Sequence, residues 1–224
     1  MRIAVVSGGT KGIGRAISEK LLQNGCKVYV IARTNDNEFT HENLIQYTAD
    51  FSLKSGISSF TEFLFSHESV VDILVNNVGV FIPGKLMEEG DGSFEKQINT
   101  NLASTYHLTR HTFDAIKKSD KPYIFNICST ASITPYLNGG SYCVSKYAQL
   151  GFTKVLREEL KEEGIKVSAV LPGATLTNSW AGTDLPKERF SDPESIADLV
   201  WLAYQLPDTT VMEEIILRPL SGDI

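Results

Sequence analysis

The stretch "VVSGGTKGIGRAI", residues 5–17, joins an apolar, β-rich run to a run with helical spacing. Val5 and Val6 close the segment "RIAVVS", while Ile13, Ala16, Ile17 and Leu21 recur every three to four residues. Between the two runs, Gly8, Gly12 and Gly14 follow the spacing GxxxGxG rather than the commoner GxGxxG. Glycines at such a turn let the backbone approach a pyrophosphate at the positive end of the helix. The same residues would also serve a tight strand-to-helix turn without a ligand. Strand, turn and helix nevertheless come in the order that dinucleotide binding needs. Gly8, Lys11, Gly12, Ile13 and Gly14 are therefore the candidate phosphate residues.

Working outward, Asn24-Gly25 ends the first helix and "KVYVIA" (27–32) supplies a second strand. Further buried-strand candidates are "LIQYTA" (44–49), "VDILVNN" (71–77), "YIFNIC" (123–128), "KVSAVL" (166–171) and "EEIILRP" (213–219). Helical spacing covers 53–65, 94–117, 141–162 and 193–205, and "SDPE" (191–194) reads as a capping box with proline at an early position. Continuous apolar strands alternating with helices predict an α/β, doubly wound parallel sheet of Rossmann type, covered on both faces. Without repeats or a linker, residues 1–224 form a single domain.

Composition narrows the function. A net charge of −6 argues against a nucleic-acid or anionic-membrane surface, because both demand a positive excess. Three cysteines without metal-type spacing fit a reducing compartment. The opening "MRIAVVSGG" is strand-like from Ile3, which leaves no room for a signal peptide, and no apolar run reaches the roughly 18 residues of a membrane span. The expectation is a cytoplasmic protein with a small-molecule partner.

The second strand ends "VIARTND", where a fold that binds NAD usually offers a carboxylate to the ribose hydroxyls. Ala32 and Arg33 stand there instead, and Lys11 adds a second cation, so the expected cofactor is NADP(H). In "GGSYCVSKYAQL", Tyr142 and Lys146 lie one helical turn apart on a helix whose apolar residues surround most of its circumference. A lysine is almost never buried without a partner. A phenol with pKa of about 10 is a sluggish acid–base group near neutrality, and an adjacent ammonium favours its ionised form. The pair thus reads as a general acid–base with its tuning cation.

These motifs together resemble the short-chain dehydrogenase/reductase family, in its compact single-domain branch, over nearly the whole chain. "SGGTKGIG" is similar to the family's cofactor turn, "NNVG" (76–79) to its NNAG, "YCVSK" to its YxxxK and "PGATLT" (172–177) to its PG-x-x-x-T loop. Ser129 lies thirteen residues before Tyr142, the family's usual spacing; Asn101 in "INTNLAS" matches its helix asparagine and Asp50 its adenine-binding aspartate. The resemblance implies catalysis by Asn101, Ser129, Tyr142 and Lys146. It implies cofactor contacts from Asp50, Asn76, Gly79, Tyr142, Lys146, Pro172, Gly173 and Thr177 besides the glycine turn and Arg33. Asn101 would hold a water that links Lys146 to solvent, and a homodimer or homotetramer is the family's habit.

The implied reaction is hydride transfer between NADP(H) and a carbonyl compound or its alcohol, with Tyr142 as acid in reduction and base in oxidation. Ser129 would donate to the substrate oxygen. Phe81, Tyr136, Leu137 and Trp180 are expected to border the substrate. Alternatives are a 3-oxoacyl-(acyl-carrier-protein) reductase-like activity and a catalytically silent NADP-binding regulator. The resemblance to such reductases implies that Asp120 and Glu163 stand where they carry arginines for the acidic carrier near the active-site mouth, which speaks against that substrate. His107 and His111 share a helical turn but lack an acidic companion, so no metal site is expected.

Overall fold

The computed structural model describes residues 1–177, 180 and 182–223. Seven strands run through it: β1 (Ile3–Ser7), β2 (Lys27–Ala32), β3 (Leu44–Thr48), β4 (Ile73–Asn76), β5 (Tyr123–Ile127), β6 (Lys166–Pro172) and β7 (Glu214–Leu217). They form one sheet in the order β3-β2-β1-β4-β5-β6-β7. Every pairing is parallel. Six helices cover it: α1 (Gly12–Gln23), α2 (Lys54–Phe65), α3 (Ser93–Ile98), α4 (Ser104–Ile116), α5 (Gly140–Leu160) and α6 (Pro193–Gln205).

Strand alternation divides the core in two. Ala4, Val6, Val28, Val30, Ile73, Val75, Tyr123 and Phe125 face α1 and α6, where Ile17, Leu21, Ile196 and Val200 pack on them. Their neighbours Ile3, Val5, Tyr29, Ile31, Leu74, Ile124 and Val167 face α2, α4 and α5 through Phe60, Leu64, Leu108, Ile116 and Leu156. A parallel sheet needs this double cover because both faces are apolar. No helix among the described residues is long and apolar enough to cross a membrane.

Two local expectations fail. The helical spacing over 94–117 is not one α-helix: a π-helical turn at Asn99–Ala103 separates α3 from α4. The wider turn buries Asn101, whose side chain binds the backbone of Val80 at both N–H (2.7 Å) and C=O (3.0 Å) and meets Ser145 Oγ at 2.8 Å. Nor does "SDPE" close a capping box. Asp192 is the N-cap of α6 and makes no side-chain cap bond, although Pro193 does occupy the first turn. Ser191 is drawn instead into a backbone pairing with Ala174 and Leu176. At the other end of α1, Asn24 is the C-cap and Gly25 takes φ of 77°.

A buried polar ladder crosses from β4 to α5. Asn76 donates to Thr109 Oγ1 (3.0 Å) and Asn126 Oδ1 (2.8 Å), and Asn126 donates to Thr153 Oγ1 (2.9 Å). Asn76 and Asn126 are register partners on adjacent strands. Asn126→Ala takes one of two acceptors from the buried Asn76 amide and the donor from Thr153 Oγ1, and is expected to cost about 1–3 kcal/mol, the usual penalty for a buried group deprived of its partner. Urea unfolding of the variant measures it. A loss within about 0.5 kcal/mol, typical of neutral surface changes, would show that the ladder contributes nothing.

Candidate active site

The chain leaves β1 toward β2 and β3 on one side and returns to β4 on the other, so a crevice opens at the carboxyl ends of β1 and β4. It is a cleft of about 520 Å³, and Gly8, Lys11, Gly12, Ile13, Arg33, Asp50, Gly79, Tyr142, Lys146 and Thr177 all line it. Gly14 lies beneath. A Cβ there would collide with the Gly8 carbonyl and the Asn77 amide, and Gly8 itself has φ of 68°. The turn is held by a pair that sequence reading passed over. Ser7 Oγ accepts from the backbone N–H groups of Asn77 (2.9 Å) and Val78 (3.1 Å). Asn77 Nδ2 in return donates to the carbonyls of Ser7 (3.0 Å) and Gly8 (3.1 Å).

At the far end of the cleft, Ala32 ends β2, Arg33 follows it and Asp50 lies just past β3. Burial pushes the Asp50 carboxyl upward, but two bonds from Ser52 and the charges of Arg33 and Lys96 outweigh it and hold the group below the usual carboxylate range. Arg15, also basic and nearby in sequence, is committed elsewhere. It pairs with Glu19 at 2.8 Å and Asp36 at 2.5 Å and lies over the Phe39 ring. Besides Lys146, the cations Lys11, Arg33 and Lys96 line the cleft, and no acid stands beside Arg33 at position 32.

Tyr142 and Lys146 share the first turns of α5 as their spacing requires. The Lys146 ammonium is buried and donates to the Ile127 carbonyl at the end of β5 (2.9 Å) and to Gln149 Oε1 (2.9 Å). Burial pulls its pKa down to about 8. Burial likewise pushes the Tyr142 phenol above the ordinary tyrosine value, opposed by a hydrogen bond with the Ser129 side chain. This reverses the expected direction. Lys146 Nζ sits 5.9 Å from the Tyr142 ring centre with its donors turned to Ile127 and Gln149, so desolvation prevails over its charge. Ser129 caps the short turn Thr130–Ser132, accepting from Ala131 N at 3.1 Å. Phe81 meets the Tyr142 ring edge-to-face at 5.0 Å, and Tyr136 lies 6.4 Å from Phe81.

Several other candidates fall outside the cleft, while Thr177 and Cys128 line it. Asn76 is buried and its amide is spent on the ladder; its neighbour Asn77 lines the cleft instead. The Asn101 side chain is occupied by Val80 and Ser145 and does not reach Lys146. Pro172 ends β6, and Gly173 donates to the Leu217 carbonyl at 2.8 Å. Thr177 packs over Gly12, where a Cβ would come within 3.1 Å of it. Trp180 meets Phe190 edge-to-face, Leu137 is exposed, and residues 178, 179 and 181 of the expected substrate loop lie outside the described residues. Cys128 and Cys143 are buried, and burial pushes the Cys128 thiol up to about 11. His111 meets Thr61 Oγ1 at 3.3 Å and His107 packs on Tyr106. Asp120 and Glu163 precede β5 and β6, at the amino-terminal edge of the sheet, and pair with Arg2 and Lys117. They do not border the mouth, so the charge argument against an acidic carrier fails.

Comparison with known proteins agrees with this architecture. A family model described as short chain dehydrogenase matches residues 2–187. A sepiapterin reductase of Chlorobaculum tepidum is 32% identical over 99% of this chain and 98% of its own length. A 3-oxoacyl-(acyl-carrier-protein) reductase of Haemophilus influenzae is 34% identical over 79% of this chain and 75% of its own. A metagenomic short-chain oxidoreductase solved in complex with NADP superimposes with a TM-score of 0.82 and 29% identity, covering 97% of this chain and 96% of that one.

Lys146 makes folding pH-dependent. Its folded pKa of about 8 lies below the ordinary lysine value of about 10.4, so between these limits the unfolded chain binds more protons. The wild type therefore gains stability as pH rises through that window, a gain Lys146→Met lacks. Chemical denaturation across pH is expected to show a constant stability difference below about pH 7 and a growing advantage for the wild type above about pH 8. A difference constant throughout would place the ammonium in ordinary solvation.

Proposed function

The chain belongs to the short-chain dehydrogenase family and is an oxidoreductase of that family, and we propose that it interconverts a carbonyl compound and its alcohol with NADP(H), using Tyr142 as the general acid–base. The observation that carries this reading is the meeting of Tyr142, Ser129 and Lys146 at one end of a cleft whose other end offers Lys11, Arg33 and Lys96, with Ala32 at the position where NAD-binding folds usually place a carboxylate.

The residues fit the cofactor. The glycine turn opens α1, and the missing Cβ of Gly14 lets the helix pack directly against the Gly8 carbonyl and the Asn77 amide beneath the turn. Lys11 and Arg33 suit a 2′-phosphate, and the relative solved with NADP supports the same choice. Thr177 and Asp50 would hold the two ends of the dinucleotide, which supplies the hydride when bound.

The chain's own part is to orient the substrate and move one proton. Burial keeps the Tyr142 phenol protonated at neutral pH, so its O–H is available to a carbonyl oxygen that becomes an alkoxide. The Ser129 hydroxyl, bonded to that phenol, donates to the same oxygen and steadies the growing negative charge. Lys146, anchored to Ile127 and Gln149, has a third N–H for the ribose side of the cleft. Phe81 and Tyr136 supply an apolar wall beside Tyr142.

A panel of free ketones, aldehydes and 3-oxoacyl thioesters, free and carrier-linked, followed by loss of NADPH absorbance, tests the reaction. Tyr142→Phe is expected to lower turnover of any good substrate by about 10²- to 10⁴-fold while NADPH still binds. Turnover at the wild-type rate would overturn the assignment. Arg33→Ala removes a charge-assisted bond worth about 1.5–3 kcal/mol, so preference for NADPH over NADH should fall roughly ten- to a hundredfold. Titrating both cofactors against intrinsic fluorescence measures it, and an unchanged ratio would exclude Arg33 from the 2′-phosphate.

A further inference from the structure

Gln149 lies on the buried face of α5, beside Ser145, Lys146 and Thr153. It is fully buried, three residues after Lys146, and its side chain touches no solvent. A buried amide needs partners for both ends, and here the bonding leaves one orientation. Thr105 Oγ1 donates its only proton to the Asn101 carbonyl in the π-helical turn, at 3.2 Å. That oxygen must then accept from Gln149, so Nε2 faces Thr105 at 3.0 Å and Oε1 faces the Lys146 ammonium at 2.9 Å. The opposite orientation would set an N–H against an ammonium. The Gln149 backbone is fixed as well, because its carbonyl accepts from Thr153 Oγ1 at 2.7 Å.

We propose that Gln149 is a positioning residue for Lys146: with the Ile127 carbonyl it holds the ammonium in place and, through Thr105, ties it to the π-helical turn. The reading rests on the role given to Lys146 above. Two of the three ammonium donors are spent on neutral acceptors from different elements, which leaves the third for the cleft. An amide near neutral pH neither gives up nor takes a proton. The chain Lys146–Gln149–Thr105–Asn101 therefore orients and solvates the ammonium without relaying protons, and Lys146 exchanges its proton through the cleft. The titratable groups around the ammonium are Tyr142 on its own helix and Cys128 beyond β5. The π-helical turn faces it with the neutral Asn101, α4 with the neutral Thr105, and the loop after β4 with Gly79. No carboxylate among the described residues pairs with it, so the Gln149 oxygen is the side-chain acceptor that favours its charged form.

The test follows the Lys146 Nζ resonance against pH in the ligand-free protein labelled with ¹⁵Nζ-lysine, assigned by its absence in Lys146→Arg. Gln149→Leu removes one acceptor from a charged donor and is expected to lower the Lys146 titration by about one unit or more. Gln149→Glu places a carboxylate against the ammonium and is expected to raise it by about one to three units. A residue that only filled space would change stability and leave the titration where it is. If Gln149→Leu does not fold, Gln149→Glu decides alone, since it keeps the size and an acceptor. Titration unchanged from the wild type in the folded variants would overturn the proposal even in an active enzyme. Shifted titrations in a protein that reduces no carbonyl compound would uphold Gln149 and overturn the reductase reading, which separates the two failures.

Discussion

The bond from the Lys146 ammonium to the Ile127 carbonyl joins the chemistry of this protein to its fold. It fastens the first turns of α5 to the carboxyl end of β5, the central edge of the cleft. An ammonium taken out of water must keep its hydrogen bonds or lose its charge. With two acceptors Lys146 keeps part of what it needs, and the rest appears as a pKa near 8. Everything within reach is arranged around that requirement: Gln149 turns its oxygen inward, Thr105 fixes Gln149, and the π-helical turn supplies the carbonyl that fixes Thr105. Moving α5 relative to β5 would cost this cation its solvation, so the position of Tyr142 one turn earlier is secured by the same bonds.

A second polar layer lies against the first. The ladder from Thr109 through Asn76 and Asn126 to Thr153 crosses the sheet between apolar residues, and Thr153 also bonds the Gln149 carbonyl. Buried polar groups of this kind are costly when partly satisfied and selective when paired. Here they fix the register of β4 against β5 and the depth of α4 and α5 on the sheet. The family-like motif "NNVG" thus divides its labour. Asn76 serves the sheet, whereas Asn77 braces the glycine turn through Ser7 and Gly8.

Burial also decides the resting state of the Tyr142 phenol. A lysine one turn away favours phenolate in principle, yet the Tyr142 oxygen is surrounded by apolar and neutral groups and the ammonium is turned toward other acceptors. The phenol therefore rests protonated, the form that the proposed carbonyl reduction needs at its start. Ser129 counters the shift only in part.

Much of this was legible in the chain itself. Alternating apolar runs and helical spacings place the strands and most helices, because burial on both faces of a parallel sheet demands continuous apolar strands. Gly8, Gly12 and Gly14 announce the turn, and the interval between Tyr142 and Lys146 is a property of any helix. Asp120 and Glu163 could also have been read correctly, since residues that precede parallel strands lie at the edge away from the cleft. Tertiary structure alone decided the rest. Whether Asn76 faces ligand or core depends on register with β5. The π-helical turn at Asn101 exists because that side chain binds Val80 and Ser145, distant in sequence. The partners of Lys146 lie on another strand and, through Thr105, on another helix, and a phenol's pKa is set by what surrounds it in space. Local spacing encodes which residues share a face; only packing determines what that face meets.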